Sequence, residues 1–133
     1  MDQELLITTV IINFKTPDLV MRAGNSFRRH YPNFPLQLID DGSHDTSINI
    51  FHTIKQQTPQ YTEIIFNDRN LHRGPAMDQA LHRPHSPYVL FLDSDCEVRK
   101  GGFIEVMTRL LEQHPTHLYR WQANLYEQTR IRG

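Results

Sequence analysis

The sequence predicts an α/β fold: a doubly wound, mainly parallel sheet with helices on both faces. Three observations predict it. Short apolar runs rich in β-branched residues alternate four times with segments of helical period, prolines punctuate the changes, and no repeat or low-complexity tract interrupts the rhythm. Parallel neighbours need crossover connections, and right-handed helices supply them. A chain of 133 residues is long enough for one such core and has little length for a second, so residues 1–133 read as a single domain.

Leu5 to Ile12 is a β-branched run of the kind buried on both faces, the first strand. Thr16-Pro17-Asp18 follows as N-cap, first-position proline and first-turn acid, opening a helix that ends near Pro32. Leu36 to Ile39 is the second strand, and Ile50, Phe51 and Ile54 then share a helical face that stops before Pro59. Ile64-Ile65-Phe66 is the third strand. Gly74-Pro75 starts a helix with Ala76, Met77, Ala80 and Leu81 at core spacing until Pro84. Tyr88 to Leu92 is the fourth strand. Phe103, Val106, Met107, Leu110 and Leu111 fit an amphipathic helix closed by Pro115. Tyr119, Trp121, Ala123 and Leu125 then alternate with polar residues as a half-exposed strand would, and Glu127 to Gly133 shows no pattern.

Composition narrows the function classes. With 14 Lys and Arg against 15 Asp and Glu, the chain lacks the basic excess of a nucleic-acid binder. Its single cysteine, Cys96, allows no intrachain disulfide, which favours a cytoplasmic setting. Met1 to Glu4 is acidic where a signal peptide is basic, and the run to Phe14 is too short and too interrupted to span a bilayer, so no transmembrane segment is expected.

In doubly wound sheets ligands gather at the carboxyl ends of the strands. Those ends carry Asn13-Phe14-Lys15-Thr16, Asp40-Asp41-Gly42-Ser43, Asn67-Asp68-Arg69-Asn70 and Asp93-Ser94-Asp95. Carboxylates aligned along one edge repel one another unless a cation or a hydrogen-bonding ligand sits among them. Oxygen ligands suit Mg²⁺ or Mn²⁺, ions that usually take further ligands from substrate phosphates. The same short acids also make good turns and caps, and Asp45 or Thr46 can cap the next helix. His72, His82 and His85, interleaved with Arg73, Arg83 and Pro84, read as a solvated basic rim; no zinc motif accompanies them. Arg73 opens a helix, where a cation is unfavourable toward the dipole, and is therefore either solvated or aimed at a phosphate. Cys96 beside Asp95 reads as structural.

At these residues the sequence resembles the family 2 glycosyltransferases of the GT-A fold. The resemblance runs from about Leu6 to Leu111 through four signatures in order: Ile11 to Pro17; Leu38-Ile39-Asp40-Asp41-Gly42-Ser43-His44-Asp45-Thr46; Asn70 to Leu81; and Tyr88 to Asp95 with its DXD motif. Lys15 stands where many members carry Asn, and His44 replaces the commoner Thr. The resemblance implies a nucleotide-diphosphate sugar donor bound through a divalent metal, Mn²⁺ or Mg²⁺. It implies that Asp40 hydrogen-bonds the base, that Asn13 and Lys15 line the nucleotide pocket, that Arg73 approaches the diphosphate, that Asp93 reaches the ribose and the metal shell, and that Asp95 ligates the metal.

Inverting members take their catalytic base from an acidic motif well beyond the metal motif, and too few residues follow Asp95 to carry it. No catalytic residue is assigned: Glu105 and Glu112 lie on the last helix and Glu127 in the unpatterned tail. The expectation is a truncated GT-A-like domain without the usual acceptor-binding half, whose uncovered apolar surface or sheet edge favours a homodimer. Three alternatives stand beside it: a catalytically incomplete donor-binding module, a sugar-phosphate nucleotidyltransferase, and a receiver-type signalling domain. The nucleotidyltransferase would need a Gly-rich loop after the first strand, and the receiver an acidic pair there and an Asp ending the third.

Overall fold

The computed structural model describes residues 6–83 and 86–113. Four strands, β1 (Ile7–Asn13), β2 (Leu36–Asp40), β3 (Thr62–Phe66) and β4 (Tyr88–Asp93), alternate with α1 (Pro17–His30), α2 (Ser47–Gln57), α3 (Arg73–Leu81) and α4 (Phe103–Gln113). One 3-10 turn, Pro59–Tyr61, precedes β3. Among the described residues the sheet is parallel throughout, in the order β3-β2-β1-β4. This is the α/β architecture expected, and its strands match the apolar runs within one or two residues. The expected strand from Tyr119 to Leu125, the tail from Glu127, and His85 lie outside the described residues.

Strand position follows composition. β1 and β2, whose residues are almost all buried, occupy the interior of the sheet; β3 and β4, which are more exposed, form its edges among the described residues. One face carries Ile7, Ile11, Leu36, Leu38, Leu90 and Leu92, packed against Val20 and Phe27 of α1, Phe51 and Ile54 of α2, and Ile104 and Met107 of α4. The other carries Val10 and Ile39 against Ala80 of α3, with Ile12, Ile65, Val89 and Phe91 half-buried around them. Among the described residues helices therefore cover both faces, three on one and one on the other.

Two side chains fasten this frame at the end remote from the strand termini. Buried Arg28 donates to the carbonyls of Tyr31, Phe34 and Tyr61 and to Thr62 Oγ1, at 2.6 to 2.9 Å, joining the end of α1 to the entries of β2 and β3. Burial lowers its pKa to about 10. The Tyr31 hydroxyl accepts from the backbone N–H groups of Gly102 (2.8 Å) and Ile104 (3.3 Å) and donates to Glu105 Oε1 (2.8 Å). A tyrosine from α1's C-cap thus satisfies amides at the start of α4 that would otherwise lack partners. Glu105 is committed to that contact.

Candidate functional site

The order β3-β2-β1-β4 places a topological switch point between β1 and β4, where chain connections diverge and where sheets of this kind form a crevice at the carboxyl edge. Register aligns the rim: Asn13 stands opposite Asp40, and Ile12 opposite Asp93. Asn13 and the two acids therefore lie on one edge of the sheet.

Asn13 is the hub of the β1 and β2 termini. Fully buried, it donates through Nδ2 to Asp40 Oδ1 (3.0 Å) and Ser47 Oγ (2.9 Å) and accepts at Oδ1 from Thr16 Oγ1 (2.6 Å). Thr16 occupies the N-cap position with Pro17 behind it, yet its hydroxyl serves Asn13 and makes no bond to the helix it precedes. At the next helix, Asp45 Oδ1 accepts from Ser47 N (2.8 Å), so of the two cap candidates there it is Asp45 whose side chain bonds the first turn. Asp40, 2% exposed, also takes Ser43 N on Oδ2 (3.0 Å). Both its oxygens are thus held by the protein, and its carboxylate faces the loop.

Asp41, to which sequence reading gave no role, performs the same service one strand over. Its Oδ1 accepts from Asn67 Nδ2 (3.1 Å) and Leu71 N (2.9 Å), while Asn67 and Gln79 exchange amide hydrogen bonds. His44 Nε2 meets the Asp68 carbonyl at 2.6 Å, and Gly42, with φ +80°, lies so close that a Cβ there would sit 2.4 Å from the Arg69 carbonyl carbon. The loops after β2 and β3 are therefore locked together. The only sequence signal for this was the doubled acid followed by Gly. Lys15, His44 and His72 adopt left-handed backbone at φ 57°, 55° and 71°, one in each of the loops after β1, β2 and β3. Non-glycine residues held in this region concentrate where a surrounding network enforces them, as at binding sites. Lys15 itself is exposed, its amide on Ser43 Oγ (2.7 Å) and its Nζ 5.1 Å from the centre of the Phe14 ring.

The acid-bearing turn sits on the other side of the crevice. Cys96 N bonds the Asp93 carbonyl at 3.0 Å, closing a turn that brings Asp93 and Asp95 to one side. One ligand atom each from Asp93, Asp95 and Cys96 lies within 4.8 Å of the others. Cys96 is buried in the core cluster, so the accessible donors are two hard carboxylates, a set that fits Mg²⁺ or Mn²⁺ completed by water or phosphate. Helix α1 carries this turn: Arg22 donates to the Asp95 carbonyl (3.2 Å), Ser26 Oγ accepts from Val98 N (2.9 Å), and Thr16 Oγ1 approaches Ser94 Oγ (3.5 Å). Arg73, the first residue of α3, pairs with Asp93 Oδ1 across the crevice. Asn13, Asp40, Asp93 and Arg73 are thus brought to one rim, with Asp95 at the turn beyond Asp93 and Lys15 in the loop beyond Asn13. His82 lies at the far end of α3, away from Arg73.

A parallel sheet with a polar switch-point rim and an Asp-Ser-Asp turn defines an α/β domain of the doubly wound class. The family model for glycosyl transferase family 2 matches residues 8–131, and the chain belongs to that family. An uncharacterised glycosyltransferase of Haemophilus influenzae is 31% identical over 84 residues, covering 63% of this chain and 33% of that protein. Among solved structures, the mannosyltransferase PcManGT from Pyrobaculum calidifontis, in complex with GDP-Man and Mn²⁺, aligns with a TM-score of 0.63 at 12% identity, over 69% of this chain and 28% of its own. S. aureus TarS 1-349 in complex with UDP-GlcNAc aligns with a TM-score of 0.67 at 16% identity, over 82% and 32% respectively. The chain therefore spans about a third or less of each of these proteins. Family membership leaves the receiver and nucleotidyltransferase alternatives without support. Among the described residues, no helix is long and apolar enough to cross a membrane.

Proposed function

We propose that this domain binds a nucleotide-diphosphate sugar through a divalent ion, Mn²⁺ or Mg²⁺, as the donor side of glycosyl transfer. The observation that carries the reading is the meeting of Asp93, Asp95 and Arg73 at the switch-point crevice, two carboxylates for a hard cation beside a guanidinium for a phosphate. PcManGT with GDP-Man and Mn²⁺, and TarS with UDP-GlcNAc, support it by analogy of fold. Asp95 and Asp93 would hold the ion, whose chemistry when bound is Lewis-acid stabilisation of the departing diphosphate. Lys15 and Arg73, both exposed, would reach the nucleotide and its phosphates. Asn13 and Asp40 belong to the site as its frame: Asp40 would meet the base only through a lone pair left over from Asn13 and Ser43. The reading includes a cytoplasmic chain, and a homodimer through the edges that β3 and β4 leave unpaired among the described residues.

Calorimetric titration with UDP and GDP, with and without Mn²⁺, tests it. Binding is expected only with the ion, and is expected to vanish in Asp95→Ala while the far-ultraviolet circular dichroism is unchanged; binding that ignores the ion or survives the substitution rejects the site.

A further inference from the structure

We propose that Arg73 is the resident counter-ion of the acid turn, and that it makes the site selective for a metal–diphosphate pair over the metal alone. The proposal deepens the donor-site reading and rests on it.

Asp93 is the one acid of the turn for which the structure gives a cationic partner, and that partner arrives from a different element: Arg73 on the first position of α3, twenty residues earlier in the chain. Asp93 is also one of the two carboxylates suited to a hard cation, its ligand atom within 4.8 Å of that of Asp95. Guanidinium and divalent ion therefore compete for one carboxylate. A metal ion entering by itself must either displace Arg73 from Asp93 or sit beside a like charge.

Arg73 has its own reason to stay near an anion. It stands at the positive end of α3, where a cation is opposed by the helix dipole, and its pairing with Asp93 relieves that opposition. A diphosphate brought in with the metal relieves it equally well. Phosphate oxygens accept the planar fork of a guanidinium as a carboxylate does, often in two parallel bonds. The same side chain that opposes the bare ion thus becomes a ligand of the loaded pair. Exposure permits the exchange: the side chains of Arg73 and Asp93 are 59% and 40% accessible, and an ion pair so wet is weakly held. The loop that delivers Arg73 is in turn fixed by Asp41, which accepts the Leu71 amide, so the guanidinium pivots from a constrained base.

The consequence is coupling. Nucleoside diphosphate should raise the affinity for Mn²⁺, and Mn²⁺ the affinity for nucleotide, by a common factor to which Arg73 contributes. The test uses the purified full chain and Arg73→Met, with Mn²⁺ alone followed by electron paramagnetic resonance and UDP or GDP at saturating Mn²⁺ followed by calorimetry. Removing the competitor should tighten Mn²⁺ alone by about two- to fivefold, the release of one exposed ion pair. It should weaken nucleotide binding by about tenfold or more, the loss of a charge-assisted phosphate contact. Arg73→Lys, which keeps the charge without the fork, should hold Mn²⁺ near the wild-type affinity and lose part of the nucleotide affinity.

Opposite signs for the two ligands are the signature that a merely structural role does not give. If Arg73→Met weakens both, or leaves Mn²⁺ unchanged while the wild type binds nucleotide with Mn²⁺, the counter-ion proposal fails and the donor site stands. If the wild type takes no nucleotide at any Mn²⁺ concentration, the donor site fails and the exchange with it. Arg73 is exposed, so the variant should unfold at the wild-type temperature; a lowered midpoint with both affinities reduced also counts against the proposal.

Discussion

Replacing Asn13 by Ala should unseat the β1 and β2 termini together. Asn13 is fully buried and makes three bonds shorter than or equal to 3.0 Å: to Asp40 Oδ1, to Ser47 Oγ and from Thr16 Oγ1. Alanine leaves each of those partners in place without its bond, and the Asp40 carboxylate stays buried and short of a donor. A hydrogen bond to a charged group contributes about 1.5–3 kcal/mol and a neutral one about 1 kcal/mol, so the expected loss is about 4 kcal/mol. That is a large share of the roughly 5–15 kcal/mol by which a domain is stable, and corresponds to about 15 °C in Tm. Urea unfolding measures it. Asn13→Asp sharpens the test, since a carboxylate 3.0 Å from Asp40 Oδ1 is repelled by about 5 kcal/mol at an effective dielectric constant of 20. One of the two carboxyls must then take up a proton, raising its folded-state pKa above the unfolded value. Such a group is destabilising at high pH, and the variant should regain stability as pH falls through that raised value. A loss below about 1 kcal/mol in Asn13→Ala, or no pH-dependent recovery in Asn13→Asp, would refute the view that this amide holds the rim together.

Tyr31→Phe should lower stability by about 1–3 kcal/mol in urea unfolding, because the N–H groups of Gly102 and Ile104 lose their acceptor and Glu105 its donor. Burial and Glu105 push the Tyr31 phenol up to about 12, a raised folded-state pKa, so its contribution is whole below pH 10 and disappears as pH rises through about 12; alkaline difference spectroscopy should show one fewer late-ionising tyrosine in the variant than in the wild type, where Tyr88 is shifted upward as well. Gly42→Ala should cost about 2 kcal/mol or more, since φ is +80° and the new Cβ would lie 2.4 Å from backbone of Arg69. Gly24→Ala should stay within about 1 kcal/mol of wild type, because the nearest atoms to its Cβ belong to the Ile54 side chain, whose terminal Cδ1 makes the tight contact at 2.7 Å and can turn aside, and helix propensity favours alanine; thermal unfolding of the pair decides whether backbone or side-chain contact governs the outcome.

The sheet was legible because its signal is local. Leu5 to Ile12 and Leu36 to Ile39 announce interior strands by composition alone, and Pro17, Pro32 and Pro59 mark helix boundaries through the geometry of one residue. The strand termini were legible for the same reason, since the end of a parallel strand is where chemistry collects whatever the strand's partners are. Long-range choices were not legible. Nothing near Tyr31 announces that its hydroxyl serves a helix more than seventy residues on, and nothing near Arg28 announces that its guanidinium will be enclosed by carbonyls from the segments leading into two strands. Asp40 shows the limit within the site. Its position was readable from the pattern, but which way a carboxylate turns at a rim depends on whether Asn13 and Ser43 reach it first. The pairing of Arg73 with Asp93 depends likewise on the crossing of α3 over the sheet, which periodicity does not encode.

The three anchors along α1 set where this chain tolerates added length. From Ser94 to Val98 the segment is pinned to Thr16, Arg22 and Ser26 in succession, so one inserted residue would throw every later anchor out of step and turn Asp95 away from Asp93. Beyond Val98, Arg99, Lys100 and Gly101 are exposed, and the Gly102 amide then reaches Tyr31. Extra loops, tags or grafted recognition elements therefore fit better at that exposed stretch, a few residues downstream of the acid turn, than between Ser94 and Val98.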